Sequence, residues 1–293
     1  MTKLVADQAD GLRRLLAHTP TRVVAVAAMG PGGGATEAAM NLGAALVQQG
    51  RDVLVLDEHG GTAAAICAAW AIDPLGDLAD VADRRLTCEG AIARAGCGVG
   101  VLPAPLGDRH AEIDPRLLCR GGVVLIAARI DGEGRLSALA QAADELLLVL
   151  QPNAASITSA YAGIKRLHYA HGLKQLRFLV DGVAGPEEAQ QITTNLASTG
   201  SRYLAVSLEA AGWVRADPHL ADARRLRQSV VEAFPASAAA VDFRRVAVDM
   251  GGWPWRTRAP AARPARAVAP PSHGPRVELP RGRAMAAARS AIA

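Results

Sequence analysis

Aromatic residues are scarce in this chain of 293 residues: they make up 3% of the sequence, whereas 50% of the residues are hydrophobic. A core made from such a sequence consists mainly of alanine, valine, leucine and isoleucine side chains. Uninterrupted apolar runs of about 18 residues are also missing, so the sequence predicts no membrane-spanning helix. The N-terminus carries acidic residues where a signal peptide has its apolar segment, which argues against secretion by that route.

Cysteine is also rare, and its spacing excludes two kinds of site. Cys67, Cys88, Cys97 and Cys119 are far apart in the sequence and form no CxxC pair. Neither a zinc site nor a disulfide framework is therefore indicated. We expect all four to be reduced in a cytoplasmic protein and buried as small hydrophobic residues.

The charge of the chain is unevenly distributed, although the net charge is only +4. The stretch from residue 254 to residue 293 contains eight arginines and a single acid, Glu278, and it is rich in proline and alanine. The remainder is slightly acidic, which does not favour general nucleic-acid binding by its surface. We predict that residues 251–293 form a disordered basic tail. Two roles stay open for it, a purely solvating one and weak contact with an anionic membrane surface or nucleic acid.

Short runs of valine, leucine and isoleucine alternate with helical stretches along the rest of the chain. The predicted strands cover residues 22–28, 52–56, 98–103, 123–128, 145–150, 175–180 and 203–206. The predicted helices cover residues 36–49, 135–143, 154–170, 186–198 and 220–233. This alternation predicts an α/β fold with a doubly wound, mainly parallel sheet that is covered on both faces. We divide the chain into an N-terminal helix (1–20), the α/β domain (21–250) and the tail (251–293).

The first predicted strand leads directly into a glycine-rich loop. The loop reads Gly30-Pro31-Gly32-Gly33-Gly34-Ala35-Thr36. In a phosphate-binding loop, backbone N–H groups surround the phosphates, a lysine reaches the β- and γ-phosphates, and a Ser or Thr hydroxyl binds Mg²⁺. Thr36 is present as a weak candidate Mg²⁺ ligand, but Ala35 stands where that lysine is expected. The loop therefore fits either a weak anion site or a tight turn that leads the strand into its helix.

Seven segments of the chain follow one another in a characteristic order. They are a DQAxxLR helix at 7–13, the strand and loop at 22–43, VLVLD at 53–57, a DE…PxxxSITxAY pattern at 144–161, a late strand at 202–204, a nucleotide-side loop at 212–217 and the start of a C-terminal helix at 235–237. In this order, over about residues 7–245, they resemble the FlhG/FleN branch of the MinD/ParA ATPases, bacterial regulators of flagellar number and placement. The resemblance implies a P-loop fold of the MinD/ParA, SIMIBI-type class. It also implies that ATP and Mg²⁺ are candidate cofactors, held by Gly30, Gly32, Gly33, Gly34, Ala35, Thr36 and Asp57.

The chain departs from this family at charged positions. The family loop reads KGGVGKT, and here Gly30 and Ala35 replace its two lysines, while Ala127 replaces the Walker-B aspartate. Asp57 remains, but His59 stands where a second acid is usual. Phosphoryl transfer depends on positioning and on charge stabilisation. We therefore expect hydrolysis to be lost, whereas ATP binding stays open.

Two alternatives concern these departures. Arginines such as Arg22, Arg51 or Arg129 could replace the missing lysines in space, which would give a slow ATPase with nucleotide-gated dimerisation. We also expect Arg129 to form a salt bridge with Asp57 and so fill the old metal site. Alternatively, Asp57 caps a turn.

The resemblance implies that the N-terminal helix binds a partner. Its residues Asp7, Gln8, Ala9, Gly11, Leu12 and Arg13 match the segment that stimulates an SRP-type GTPase, FlhF. Gln8 would then orient water and Arg13 would stand near the phosphates, with Leu12 as an apolar anchor. An ordinary helical cap on the domain is the alternative.

The resemblance also bears on further partners and on location. It implies contact with a flagellar transcription activator or switch-complex proteins, and a homodimer only if nucleotide binds. A scaffold for another polar machine stays open as an alternative function. We expect a cytoplasmic location, at the periphery of the inner membrane or at the cell pole.

Overall fold

The computed structural model describes residues 20–29, 33–62, 65–107, 112–199 and 206–254. The predicted activator helix, the first part of the glycine loop and nearly all of the basic tail therefore lie outside the described residues. Predictions about them stay predictions. The described residues all fall within one compact unit, Met1–Ala259.

Eight strands of the described residues form one sheet. They are β1 (Arg22–Ala28), β2 (Val53–Asp57), β3 (Ala93–Arg94), β4 (Gly100–Pro103), β5 (Val123–Ala127), β6 (Glu145–Leu150), β7 (Gln175–Val183) and β8 (Ser207–Arg215). Their order in the sheet is β3-β4-β2-β5-β1-β6-β7-β8. Each neighbouring pair is parallel apart from the short antiparallel pair of β3 and β4. The predicted α/β fold with a doubly wound, mainly parallel sheet is confirmed.

The helices connect successive strands and cover the sheet. They are α1 (Ala35–Gln48), α2 (Ile66–Trp70), α3 (Leu78–Ala82), α4 (Cys88–Ala91), α5 (Ala138–Gln141), α6 (Ala154–His171), α7 (Pro186–Thr199), α8 (His219–Arg225), α9 (Val230–Ala233) and α10 (Ala238–Gly251). A 3₁₀ turn at Pro115–Leu117 precedes β5. In the described ranges, no helix combines the length and the apolar character that crossing a membrane requires.

Each face of the sheet has its own hydrophobic core, as the continuous apolar strands predict. On β1, Val24 and Val26 point to one face, where α1, α9 and α10 pack. Val23, Ala25 and Ala27 point to the other face, which α5, α6 and α7 cover. Alanine and valine make up most of the first core, whereas leucine and isoleucine make up half of the second, so aliphatic side chains fill both despite the scarcity of aromatic residues.

The last strand is the main departure from the predicted elements. The predicted strand at 203–206 lies largely outside the described residues, and Val206 precedes β8 rather than belonging to it. The predicted loop at 212–217 was wrong for its first four residues, which belong to β8. An edge strand has only one neighbour, and several residues of β8 are exposed, so β8 lacks the apolar run that marks the central strands.

Two predicted helices also differ in length. The one at 220–233 is divided into α8 and α9, because Arg227 adopts a left-handed conformation with φ of 56° and Ser229 then caps α9. The one at 135–143 is shortened to α5, because Ser137 caps its N-terminus by accepting a hydrogen bond from the backbone N–H of Ala140.

The cysteines are free, but only Cys119 is buried, whereas Cys67, Cys88 and Cys97 are half-buried. The prediction that all four are buried was thus wrong for three of them. Burial nevertheless raises the pKa of each thiol, to about 12 for Cys119 and about 11 for Cys67. Their thiols therefore stay protonated at neutral pH, which disfavours nucleophilic or metal-binding roles.

The first strand and the last helix are joined at the end of the sheet where the strands begin. Arg22 is 4% exposed and donates hydrogen bonds to the carbonyl oxygens of Met250 and Trp253. The Trp253 ring is buried, and the Arg177 guanidinium carbon lies 4.7 Å from its centre. The protein chain is therefore fixed to the domain as far as residue 253, so the first three residues of the predicted tail (251–253) are part of the folded domain.

Candidate functional site

A cavity of about 780 Å³ lies at the carboxyl ends of the central strands. This is the place where open α/β sheets bind ligands. Its walls come from the end of β1, the start of α1, the segment after β5 and the region of α8 and α9. The polar and charged side chains that line it, apart from Thr36, are those of Glu37, Asn41, His59, Arg129, Arg224 and Gln228.

The described part of the glycine loop forms one wall of the cavity. Gly33, Gly34, Ala35 and Thr36 line it, whereas Gly30 and Gly32 lie outside the described residues. Gly34 is the N-cap of α1 and has a φ of 78°, a conformation that L side chains rarely adopt. A Cβ atom at Gly34 would lie 3.2 Å from Oδ2 of Asp181, so a side chain there would also be crowded.

Two alanines occupy the positions at which the resemblance predicts a lysine and an aspartate. Ala35 is 7% exposed and Ala127 is fully buried, and both belong to the hydrophobic core on the α1 face of the sheet. Ala35 also borders the cavity. At both positions a methyl group thus packs against apolar neighbours where a lysine or a carboxylate would face phosphate or metal.

Asp57 is fully buried, and backbone groups use both of its carboxylate oxygens. Oδ1 accepts a hydrogen bond of 3.0 Å from the N–H of His59, and Oδ2 accepts one of 2.8 Å from the N–H of Ile66. Burial raises the pKa of Asp57, and these hydrogen bonds oppose that rise. Asp57 does not line the cavity. Asp57 holds the turn between β2 and α2, in agreement with the alternative prediction that it caps a turn.

The predicted salt bridge between Arg129 and Asp57 was wrong. Within the described ranges the Arg129 side chain forms no ion pair, and its backbone N–H donates a 2.8 Å hydrogen bond to Oε2 of Glu58. The physical reason is that backbone N–H groups already occupy the Asp57 carboxylate.

Of the three arginines considered as replacements for the lysines, only Arg129 lines the cavity. The prediction was wrong for Arg22, because this residue is buried at the opposite end of the sheet. Arg51 is also wrong: it follows the C-terminal end of α1, about 20 Å along the helix from the glycine loop. Arg224, which the sequence gave no reason to select, does line the cavity and pairs with Glu37 at 3.3 Å.

Two acidic side chains, Glu37 and Asp181, lie close enough to Arg224 to interact with its positive charge. Burial raises the pKa of Asp181 to about 6; the negative charge of Glu37 adds to this effect and Arg224 opposes it. Burial likewise raises the pKa of Glu37, again against Arg224. Burial lowers the pKa of His59 despite the nearby Asp57, so the neutral ring is favoured. Asp181 could have been found from the sequence, because it directly follows the apolar run of β7.

No family model matches the chain. The chain is 30% identical to the antiactivator FleN of Pseudomonas aeruginosa over 249 residues, which cover 80% of this chain and 88% of FleN.

Solved structures show the same fold. The cell division protein MinD of Aquifex aeolicus aligns with a TM-score of 0.64 and 18% identity, covering 80% of this chain and 98% of MinD. The septum site-determining protein MinD of Pyrococcus horikoshii, in complex with Mg-ADP, aligns with a TM-score of 0.58 and 21% identity, covering 78% and 96%. The chain therefore belongs to the FleN family, and it has the fold of the MinD proteins.

Proposed function

We propose that this protein is a regulator of flagellar number or placement that acts through contacts with other proteins and does not hydrolyse ATP. The similarity to FleN supports the regulatory part of the proposal. Because FleN is an antiactivator, the activity proposed here is to restrain an activator protein of flagellar genes by binding it.

The burial of Ala35 and Ala127 in the hydrophobic core carries the non-hydrolysing part of the proposal. Loss of one stabilising donor at a reacting centre costs roughly 10²–10³ in rate. Here a cation and an acid are both missing, and Asp57 is committed to backbone N–H groups. Glu37, which lines the cavity, and Asp181, which lies beside Gly34, are acidic side chains where a triphosphate would need cations. These residues do not fit a bound Mg-ATP.

Purified full-length protein tests this proposal. The expected result is no ATP turnover above background and no rise in melting temperature with millimolar Mg-ATP, because a ligand stabilises only a protein that binds it. Thr36→Ala serves as the matched control and should behave like the wild type in both assays. ATP turnover that Thr36→Ala abolishes would refute the proposal.

A slow ATPase is the second candidate function, and one observation favours it. Arg129 and Arg224 bring two guanidinium groups to the cavity, and Thr36 stands at the Mg²⁺-ligand position. If these arginines replace the lysines, Mg-ATP will stabilise the wild type and Arg129→Ala will lose that effect. Arg120, an exposed arginine outside the cavity lining, provides the control substitution Arg120→Ala.

The N-terminal residues 1–20 are proposed to contact an FlhF-type GTPase. Gln8 and Arg13 supply the polar amide and the cation that such stimulation requires, and Leu12 supplies an apolar anchor. A synthetic peptide of residues 1–20 should increase GTP hydrolysis by the GTPase, and the Gln8→Ala peptide should not. Equal activity of the two peptides would remove Gln8 from this role.

A further inference from the structure

Glu58 is a buried carboxylate that the proposed function does not use. It follows the last residue of β2 and is 1% exposed. Its backbone N–H donates a hydrogen bond of 3.2 Å to the carbonyl oxygen of Ala127, at the end of β5. Its two side-chain oxygens then reach two different points beyond β5. Oε2 accepts from the backbone N–H of Arg129 at 2.8 Å, and Oε1 accepts from the hydroxyl group of Ser137.

These two contacts lie at opposite ends of one segment, residues 128–137, which we call the post-β5 segment. Its first residues, Ala128, Arg129 and Ile130, form a wall of the cavity. Its last residue, Ser137, accepts the N–H of Ala140 at 3.0 Å and so begins α5. The Glu58 carboxylate thus connects the wall of the cavity to the start of the next helix.

The middle of the post-β5 segment is closed by its own contacts. Ile130 and Leu136 form an antiparallel bridge. Oδ1 of Asp131 accepts the backbone N–H groups of Glu133 and Arg135 at 2.9 and 2.8 Å. These bonds fix the turn but do not attach it to the sheet. Two backbone groups do attach the segment: the N–H of Ala128 donates to the carbonyl oxygen of Val26 at 2.8 Å, and that of Leu136 donates to Nε2 of His171 at 3.0 Å. Glu58 adds the attachment at Arg129 and Ser137, and it is the side chain that joins both of these points.

Nucleotide switches order the equivalent kind of segment differently. There, contacts with the γ-phosphate and Mg²⁺ hold a loop that is released after hydrolysis. Here, the Glu58 carboxylate accepts hydrogen bonds from both ends of the post-β5 segment, and Glu58 is buried. A ligand can shift a conformational equilibrium only if it binds the two states differently. If the protein itself holds the segment in one state, nucleotide binding has no conformational equilibrium of the segment to change.

We propose that Glu58 is a positioning residue: its carboxylate holds the post-β5 segment, and with it Arg129, in one fixed arrangement that needs no nucleotide. The inference rests on the proposed function in one respect, namely that the protein acts without ATP. It adds the residue that keeps this wall of the cavity in place.

Hydrogen exchange of the full-length protein tests the role of Glu58 directly. Exchange of residues 128–137 is measured with and without Mg-ATP in the wild type, Glu58→Ala, Glu58→Gln and Glu133→Ala. Glu133 lies in the same segment and is exposed, so Glu133→Ala is the matched control. Leaving a buried N–H group without its acceptor corresponds to about 10- to 100-fold faster exchange.

The expected result is protection in the wild type that changes less than about twofold with Mg-ATP, since no ordering by phosphate is required. Glu58→Ala should accelerate exchange at Arg129 about 10- to 100-fold, while exchange in β1 and β6 stays unchanged. Glu58→Gln keeps one acceptor oxygen, so it should rescue part of the protection. It also serves as the test variant if Glu58→Ala does not fold.

Two results would overturn the role of Glu58. One is exchange in Glu58→Ala and Glu58→Gln that equals exchange in Glu133→Ala. The other is a wild-type segment that becomes protected only when Mg-ATP is added. ATP binding, measured separately by calorimetry, distinguishes the two proposals: binding of Mg-ATP with unchanged exchange refutes the proposal that Mg-ATP does not bind, but leaves the role of Glu58 standing.

Discussion

The carboxylate of Asp57 accepts a 2.8 Å hydrogen bond from the backbone N–H of Ile66, which ties the end of β2 to the first residue of α2. Its other oxygen accepts the N–H of His59. We expect Asp57→Ala to lower the free energy of unfolding by about 1–3 kcal/mol, because two N–H groups lose their acceptor. Asp57→Asn should lose less, since its amide oxygen still accepts one bond.

Urea denaturation at pH 7, with and without Mg-ATP, checks this prediction. The loss of stability should be the same in both conditions, because Asp57 serves the turn. A stable Asp57→Ala variant whose only defect is in its response to Mg-ATP would instead assign Asp57 to a nucleotide site.

Asp181 should make the protein less stable as the pH rises. Burial raises its pKa to about 6, above the ordinary value of 3.8. The folded state therefore holds this proton more tightly than the unfolded state does. The resulting stabilisation is complete below pH 3.8 and is lost as the pH rises through about 6. At pH 7.5, Asp181→Asn should be more stable than the wild type by about 1–3 kcal/mol.

Denaturation of both proteins at pH 4.5 and pH 7.5 measures this effect. The advantage of Asp181→Asn should shrink at pH 4.5. The exposed control Glu133→Gln should show no comparable change. An equal advantage at both pH values would show that the side-chain shape, and not the titration of Asp181, is responsible.

Gly34 should tolerate a side chain less well than a glycine with the same backbone conformation elsewhere. Gly34 and Gly50 both have a φ of 78°. A Cβ atom at Gly50 meets nothing within 4 Å, whereas one at Gly34 approaches Oδ2 of Asp181 at 3.2 Å. Gly50→Ala should cost about 1 kcal/mol from the backbone alone. Gly34→Ala should cost more stability than Gly50→Ala. Adding Asp181→Ala to the Gly34→Ala variant should reduce this additional loss.

Equilibrium unfolding of the two single variants and the double variant measures the excess. Equal losses for Gly34→Ala and Gly50→Ala would mean that the glycine loop moves freely away from Asp181.

The position of Trp253 predicts where the C-terminus can be shortened. Its ring is 7% exposed and its carbonyl accepts a hydrogen bond from Arg22. A chain that ends at residue 254 should unfold like the full-length protein. A chain that ends at residue 252 should lose about 3 kcal/mol, the scale of removing a buried aromatic side chain. Urea unfolding of the two truncated chains compares them, and equal stabilities would contradict the prediction.

The central part of the fold could be predicted because local sequence determines it. The strands β1 and β6 were predicted at their observed bounds, since each is a continuous apolar run that is buried on both faces. The edge strand β8 was not, because its exposed residues interrupt the pattern. The helices α2, α3 and α4 were missed because four or five residues are too few to show a helical period.

The site could be predicted only in outline. The glycine loop and the losses at Ala35 and Ala127 are visible in the sequence. The approach of Arg224 to Glu37 depends on how α8 returns over α1, which no local pattern encodes. Of the two predictions for Asp57, the turn cap agrees with the structure and the salt bridge with Arg129 was wrong. A buried carboxylate is satisfied by the nearest N–H groups, and these belong to the turn that follows it.

The placement of β1 bears on how the protein is made. This strand leaves the ribosome first, yet it lies between β5 and β6, which begin at Val123 and Glu145. Arg22, its first residue, finds its acceptors only at Met250 and Trp253. Elongation proceeds at roughly 5–20 residues per second. This buried, largely apolar strand therefore waits several seconds for its neighbours, during which a chaperone or another early contact must keep it from aggregating.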